Sequence, residues 1–390
     1  MISVQEAFGK ITENISKGKT EVIETKKSLG QVIANDVFSP IHMPPFNQSA
    51  MDGYALGDID SKVYNLVGEI KAGDSSTQIH LKKGEAIRIF TGGMVPEGSV
   101  TVVKQEIVEA NSNSIQLKER ININQNIRPK GEQIKKDEIA LKKGTVIDAG
   151  TIGYLYGIGV HQINVYTKPK TIVIATGNEL TKPGEQLATG KIYESNTYTI
   201  QAALKEIGIE ATIQTVEDDY QSTKNIIQDA IDQYDLVIMT GGISVGDYDF
   251  VGKAFNEIGV EQKFYKVKQK PGKPIYFGKK EETTVFGLPG NPAAALSCFY
   301  LYVIPAIKKH QGYTQFSLEK RELSLSNDYS KTKKLSHFLK GFHQGKQVEV
   351  LNSQSSAMLS SFATANCLIF LEEGKEHWGK GENVDVYILP

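Results

Sequence analysis

Cysteine is nearly missing from this sequence: only Cys298 and Cys367 occur in 390 residues. One lies in an apolar helical stretch and the other in a strand-like one, so buried reduced thiols are expected and a disulfide framework is excluded. The 7 histidines form no i, i+4 pair, which removes the usual zinc signatures. Long apolar runs are lacking as well. None approaches the ~20 residues that a spanning helix needs, and residues 1–20 are polar and charged, unlike a secretory leader. These absences point away from a membrane and towards the cytoplasm. Excess charge is the last absence, since 44 Lys and Arg stand against 45 Asp and Glu, a formal net charge of −1. No global basic field exists to hold nucleic acid or anionic lipid, so any anion site must be local.

What is present is ordinary for a folded chain: 40% hydrophobic and 23% charged residues, enough for two or three domains at roughly 100 to 200 residues each. Residues 4–15 carry Val4, Ala7, Phe8, Ile11 and Ile15 at helical spacing. From about 49 to 124 the texture is short apolar runs, at 63–67, 86–90 and 114–117, broken by Gly, Asp and Asn, as in a small β unit. Beyond residue 168 strand-like runs at 171–175, 212–216, 236–239 and 284–288 alternate with amphipathic helical patterns at 196–207, 222–234 and 248–258. That alternation predicts an α/β fold with a parallel sheet covered by helices on both faces. After Tyr313 the chain turns polar and β-like, with apolar runs at 367–371 and 384–389, which predicts a small terminal β domain.

In an open parallel sheet ligands bind beyond the carboxyl ends of the strands. The residues there are of two kinds. Carboxylates follow the first three strands: Glu179, then Asp218 and Asp219, then Asp247 and Asp249. Glycine turns open two helical patterns, one at Thr240 with Gly241, Gly242 and Ser244, the other at Pro289, Gly290, Asn291 and Pro292 before an apolar helix at 293–307. Free backbone N–H groups at a helix start favour an anion, and Asn291 as N-cap with Pro292 at the first helical position suits that geometry. Acidic residues beside anion cradles fit a divalent cation bridging a phosphate, Mg²⁺ more than Zn²⁺. Each piece also has a plain reading: Asp218-Asp219 as a helix N-terminal pair, Thr240-Gly-Gly as a tight turn, Glu179 as an ordinary loop residue. Lys266, Lys268 and Lys270 would share one face of a strand, with a Pro-Gly turn bringing Lys273 round. They read either as a compact oxyanion site or as lysines guarding an edge strand. Asp52-Gly53 reads by default as a hairpin turn.

Several ordered strings then acquire a common meaning: Ser49-Ala-Met-Asp-Gly-Tyr-Ala55, Arg88-Ile-Phe-Thr-Gly92, Asn126-Ile-Arg-Pro-Lys-Gly-Glu132, Thr176-Gly-Asn-Glu179, Gly241-Gly-Ile-Ser-Val-Gly-Asp247, Lys270-Pro-Gly-Lys-Pro274 and Leu288-Pro-Gly-Asn-Pro292. In this order the sequence resembles the MoeA family of molybdopterin molybdenumtransferases, which includes the E domain of gephyrin. The resemblance implies a split linking region (1–48 and 125–168), an inserted β domain (49–124), a central molybdopterin-binding α/β domain (169–312) and a carboxyl-terminal β domain (313–390). It also implies a homodimer whose active cleft is shared between subunits. The implied reaction places molybdate on adenylylated molybdopterin with Mg²⁺-dependent release of AMP, and other proteins of molybdenum cofactor synthesis become expected partners. Carried over residue by residue, catalytic roles fall on Asp52, Thr91, Glu179 and Asp249, and metal binding on Asp218 or Asp219 with Asp249. Substrate binding falls on Arg128, Gly241, Gly242, Ser244, Lys266, Lys270, Lys273, Pro289, Gly290, Pro292 and Ser356.

Three positions depart from the family pattern: Gln133 replaces an acidic residue, Ala294 a serine, and Lys340 before Gly341 an arginine. The last implies an oxyanion contact reduced from guanidinium to ammonium. The rival expectations are a molybdopterin adenylyltransferase or nucleotide pyrophosphatase on the same central domain, and a non-catalytic dimeric scaffold.

Overall fold

Four runs of aliphatic and β-branched residues, Thr171–Thr176, Ala211–Val216, Leu236–Thr240 and Thr283–Leu288, lie side by side in parallel in the computed structural model. The structure describes the backbone of residues 1–243 and 250–390. Pairing of Thr176 with Val216, Ala175 with Thr240 and Thr240 with Leu288 brings the carboxyl ends of the four strands to one edge. Side chains alternate across the sheet, as a period of two requires. Val173, Ile238 and Phe286 enter one core with Ile200 and Leu204 of the helix Asn196–Glu206. Ile172, Ile174, Val237 and Met239 enter the opposite core with Ile227 of the helix Tyr220–Gln233 and Phe255 of the helix Phe250–Ile258. Helices therefore cover both faces, as the alternation predicts.

The four expected strands form the parallel part of the sheet, and two further strands extend it. Its order is 211–216, 171–176, 236–240, 283–288, 276–280, 261–265, and 276–280 runs antiparallel to both of its neighbours. Polar residues fill one end of each added strand, Lys279 and Lys280 in Tyr276–Lys280 and Glu261, Gln262 and Lys263 in Glu261–Tyr265, and shorten the apolar signal relative to the buried strands. The expected helix at 293–307 is longer: Pro292–Cys298 passes through a π-helical turn, Phe299–Val303, into Ile304–His310. The amino-terminal helix Val4–Asn14 starts with a Ser3–Glu6 capping box and adds Val4, Ala7 and Ile11 to the first core.

Around these elements the chain divides into two compact units, one of Met1–Glu21, Gly30–Ala34 and Asn164–Pro390, the other of Val22–Leu29 and Asn35–Ile163. The first unit also holds the carboxyl-terminal sheet, in which Ser336–Gln344, Gln347–Val350, Lys320–Leu325, Asn383–Ile388 and Cys367–Leu371 pair in turn, and the last strand returns to the first to close a barrel. Leu339, Val348, Ile369, Trp378 and Val386 fill it. The second unit is built on a six-stranded sheet spanning Gly53–Leu56 to Ser114–Leu117. Both cysteines are free and buried. No helix among the described residues is long and apolar enough to cross a membrane.

Candidate active site

The aligned strand ends open onto a cavity of about 580 Å³. Its lining includes Thr176, Glu179, Asp218, Thr240, Gly241 and Gly242 from the ends of three strands and the loops after them, and Pro289, Gly290, Asn291 and Pro292 from the start of the long helix. The double-glycine turn is a steric necessity. Gly241 has φ +86°, and a Cβ there would lie 2.7 Å from Thr176 O; Gly242 has φ +63°, and a Cβ would lie 2.6 Å from Val251 Cγ2. Asp218 is held from two sides: Thr176 Oγ1 donates to its Oδ1 at 2.5 Å, and its own N–H donates to Asn178 Oδ1 at 3.0 Å. Opposite, Asn196 Nδ2 donates to Gly290 O at 2.8 Å. Two atoms on this wall, Asn196 Oδ1 and Thr240 Oγ1, are buried with no hydrogen-bond partner among the described residues. Buried polar atoms are costly when unpaired, so their presence at a cavity wall marks places where a polar ligand group is wanted.

Asp219 faces a different task. Its carboxylate accepts the Ser222 N–H at 2.7 Å as N-cap of the helix Tyr220–Gln233, and this backbone bond holds its pKa below the ordinary carboxylate value. The plain reading of a helix N-terminal carboxylate thus holds for Asp219, while its neighbour Asp218 lines the cavity. Asn291 and Pro292 occupy the expected N-cap and first-turn positions, but the Asn291 side chain makes no cap bond; its Nδ2 donates to Ser356 Oγ at 2.9 Å. Ser356 O in turn accepts the Ala294 N–H at 3.2 Å, so one donor of the expected anion cradle is already engaged. Ala357, next in the chain, lines the cavity. Ser244, Asp247 and Asp249 lie outside the described residues.

Comparison with known proteins follows the same layout. Residues 2–159 match the MoeA N-terminal region (domain I and II), 172–309 a probable molybdopterin binding domain, and 322–389 the MoeA C-terminal region (domain IV). The molybdopterin molybdenumtransferase of Haemophilus influenzae is 34% identical, covering 99% of this chain and 98% of that one. That of Staphylococcus aureus strain Mu50 is 31% identical over 99% and 95% of the two chains. The chain belongs to the MoeA family. Among solved structures, the molybdopterin biosynthesis MoeA protein of Pyrococcus horikoshii OT3 superposes with a TM-score of 0.84 at 27% identity, covering 100% of both chains.

The lysine segment of this MoeA-family chain is not among the residues that line the cavity. The lysine segment is not a continuous strand: Lys266 has φ +68°, and only Gln269–Lys270 joins a sheet, pairing with Ser336 and His337. Burial alternates along it, with Val267 and Gln269 buried, Lys266 and Lys268 half-buried and Lys270 exposed. Lys266 lies over the Tyr265 ring at 4.9 Å, and Lys268 is 3.7 Å from Glu373. Lys270 and Lys273 are exposed, and Pro274 beyond them lines the cavity.

In the second unit Asp52 Oδ1 accepts both the N–H and the hydroxyl of Thr91, each at 2.8 Å. These bonds, the backbone one first, lower the Asp52 pKa. Asp52-Gly53 is not a hairpin turn: Gly53 begins the strand Gly53–Leu56, and a Cβ on it would lie 1.7 Å from Val103 O. Arg128 is exposed on the short strand Ile127–Arg128, paired with Gln48.

Lys340 corrects the sequence expectation most clearly. Only 3% exposed, its ammonium donates to Ser353 O at 2.6 Å, Met358 O at 2.9 Å and Ser355 O at 3.4 Å. All three donors serve the loop that carries Ser356, leaving none for an oxyanion. Burial pushes its pKa below the ordinary lysine value. Sequence reasoning also passed over Glu194 and Asn196. Glu194 is buried at the cavity wall and accepts the Thr197 N–H at 2.9 Å and its hydroxyl at 2.5 Å, fixing the start of the helix Asn196–Glu206. A carboxylate just ahead of a helical pattern was the available signal.

Proposed function

We propose that this chain is a molybdopterin molybdenumtransferase that transfers molybdate to adenylylated molybdopterin and releases AMP. The observation that carries this reading is the cavity at the strand ends, where a glycine turn, three carboxylates and two buried polar atoms with no partner among the described residues converge in a MoeA-family chain. Gly241, Gly242 and Gly290 let the substrate phosphates approach the backbone closely. Thr240 and Asn196 offer the polar contacts that their buried atoms lack. Asp218 and Glu179 are hard oxygen donors of the kind Mg²⁺ takes together with phosphate and water, and they would hold that ion in the cavity. When bound, the ion supplies charge neutralisation at the phosphates. The roles of the residues are then spatial: Thr176 orients the Asp218 carboxylate through its hydroxyl, Pro289 and Pro292 stiffen the cavity rim, and Lys266, Lys270 and Lys273 attract the compact molybdate dianion. Asp52, Thr91 and Arg128 are assigned to the same reaction on the resemblance alone.

The deciding experiment supplies adenylylated molybdopterin, molybdate and Mg²⁺ and follows AMP. Release that requires both molybdate and Mg²⁺, with molybdenum recovered on the pterin, is the expected outcome. Adenylylation of free molybdopterin by ATP would instead make the chain an adenylyltransferase, and inactivity in both assays would favour a scaffold. We further propose a homodimer, which light scattering measures directly as twice the chain mass.

A further inference from the structure

One buried polar cluster lies outside the cavity and takes no part in the function just described. Gln269, Tyr302 and Cys298 are each 0% exposed. The Tyr302 hydroxyl donates to Gln269 Oε1. Gln269 Nε2 donates to Pro271 O at 3.0 Å and approaches Cys298 Sγ at 3.7 Å, and that thiol is directed at Gly272 O over 3.8 Å. Phe299, Leu301 and Val303 belong to the same core, where an apolar trio of equal size would pack without any polar atoms to satisfy. What the polar trio adds is a grip on the backbone between Lys270 and Lys273.

That grip is close. Gly272 has φ +79°, and a Cβ on it would lie 2.2 Å from Cys298 Sγ, so the turn rests directly on the thiol. Backbone bonds tie the flanks of the segment: Lys268 N–H to Ile2 O at 2.8 Å, Ser336 N–H to Lys268 O at 3.1 Å, and Val267 N–H to Lys273 O at 2.9 Å. The Pro271–Gly272 turn is fastened by side chains instead, and two of them come from the helix whose start lines the cavity. Cys298 and Tyr302 are four residues apart on it, the second within the π-helical turn.

We propose that Tyr302, acting through Gln269, is a positioning residue for the oxyanion: it fixes the Pro271–Gly272 turn so that Lys270 and Lys273 present their ammonium groups at a set spacing. This rests on the reading of the lysine segment as the molybdate site. Ammonium groups held in place bind a compact dianion without first losing their own freedom, so loosening the turn weakens oxyanion binding and spares the pterin.

The test measures the half-saturating molybdate concentration, the KM for adenylylated molybdopterin and the Tm. Tyr302→Phe keeps the ring and removes the hydroxyl. It should raise the molybdate requirement about 3- to 10-fold, as expected for one buried hydrogen bond, leave the pterin KM within about 2-fold, and lower the Tm. Adding Gln269→Met to Tyr302→Phe removes the orphaned acceptor and also the Gln269 Nε2 bond to Pro271 O, so the turn stays unfastened and the molybdate requirement should stay high whichever way the Tm moves. Recovery of both together would show a purely structural role and overturn the inference. So would an unchanged molybdate requirement in Tyr302→Phe when Lys270→Ala, measured alongside, raises it. If Lys270→Ala also leaves molybdate dependence unchanged, the oxyanion reading of the segment fails and this inference fails with it.

Discussion

At the scale of single residues, burial decides what a charge can do. Lys340 and Lys270 carry the same ammonium, yet one is enclosed and spent on three carbonyls while the other is exposed. His337 shows the same logic with a measurable consequence. It is 8% exposed, and burial first, then Lys331 and Lys270, bring its pKa from 6.5 to about 4. The imidazole is therefore neutral in the fold at pH values where the unfolded chain would already bind a proton. Because the folded pKa is the lower one, stability is fully present above pH 6.5 and falls as pH drops towards 4, by up to about 3 kcal/mol. Thermal melts across that range should fall less steeply for His337→Gln than for the unaltered chain. Parallel curves would mean that His337 titrates normally.

At the scale of elements, two adjacent carboxylates at one helix start have different surroundings, Asp219 as the N-cap and Asp218 at the cavity wall. Asp219→Ala should cost about 1 kcal/mol through loss of the N-cap, a Tm decrease of about 2–4 °C, with AMP release retained. Asp218→Asn preserves shape and an acceptor for Thr176, so Tm should hold while AMP release falls by more than about 100-fold, since losing even an outer partner of a metal site costs up to that much. The reverse pattern would exchange their roles. The sequence made the helix start visible but not this division, because both residues are acidic and only the backbone path separates a cap from a cavity wall. Strands buried on both faces were legible as unbroken apolar runs, and Gly241-Gly242 as a turn, since few residues adopt its φ values. The strands Glu261–Tyr265 and Tyr276–Lys280 were not, because polar residues at one end of each leave an apolar run too short to stand out. Glu194 and Asn196 escaped notice for another reason: their place at the cavity depends on chain segments distant in sequence, such as Gly290. Lys340 was misjudged because a side chain's chemistry does not say whether its donors are already occupied.

At the scale of the whole molecule, each of the two compact units has its own hydrophobic interior. In the second unit, Leu56, Tyr64 and Val103 fill one face of the six-stranded sheet, and Ala55, Ile87, Ile89 and Val102 fill the other. The first unit relies on the separate cores that cover its central sheet and fill its terminal barrel. A change of texture near residue 168 was already apparent in the sequence, because alternating strands and helices have a different period from a small β unit. The division of residues 1–34 between the two units was not, since it depends on pairings such as Ile33 with Val165 that no local pattern announces. Units with separate cores can unfold separately, so calorimetry should resolve two transitions. Leu56 is 0% exposed, and Leu56→Ala should remove about 2–5 kcal/mol from its own unit alone. One transition should then move to lower temperature while the other keeps its midpoint. AMP, the product proposed for the cavity in the first unit, should raise the transition that Leu56→Ala leaves in place, because a ligand stabilises only the unit whose folded form binds it. Equal movement of both transitions under either perturbation would mean that the two interiors melt as one cooperative body.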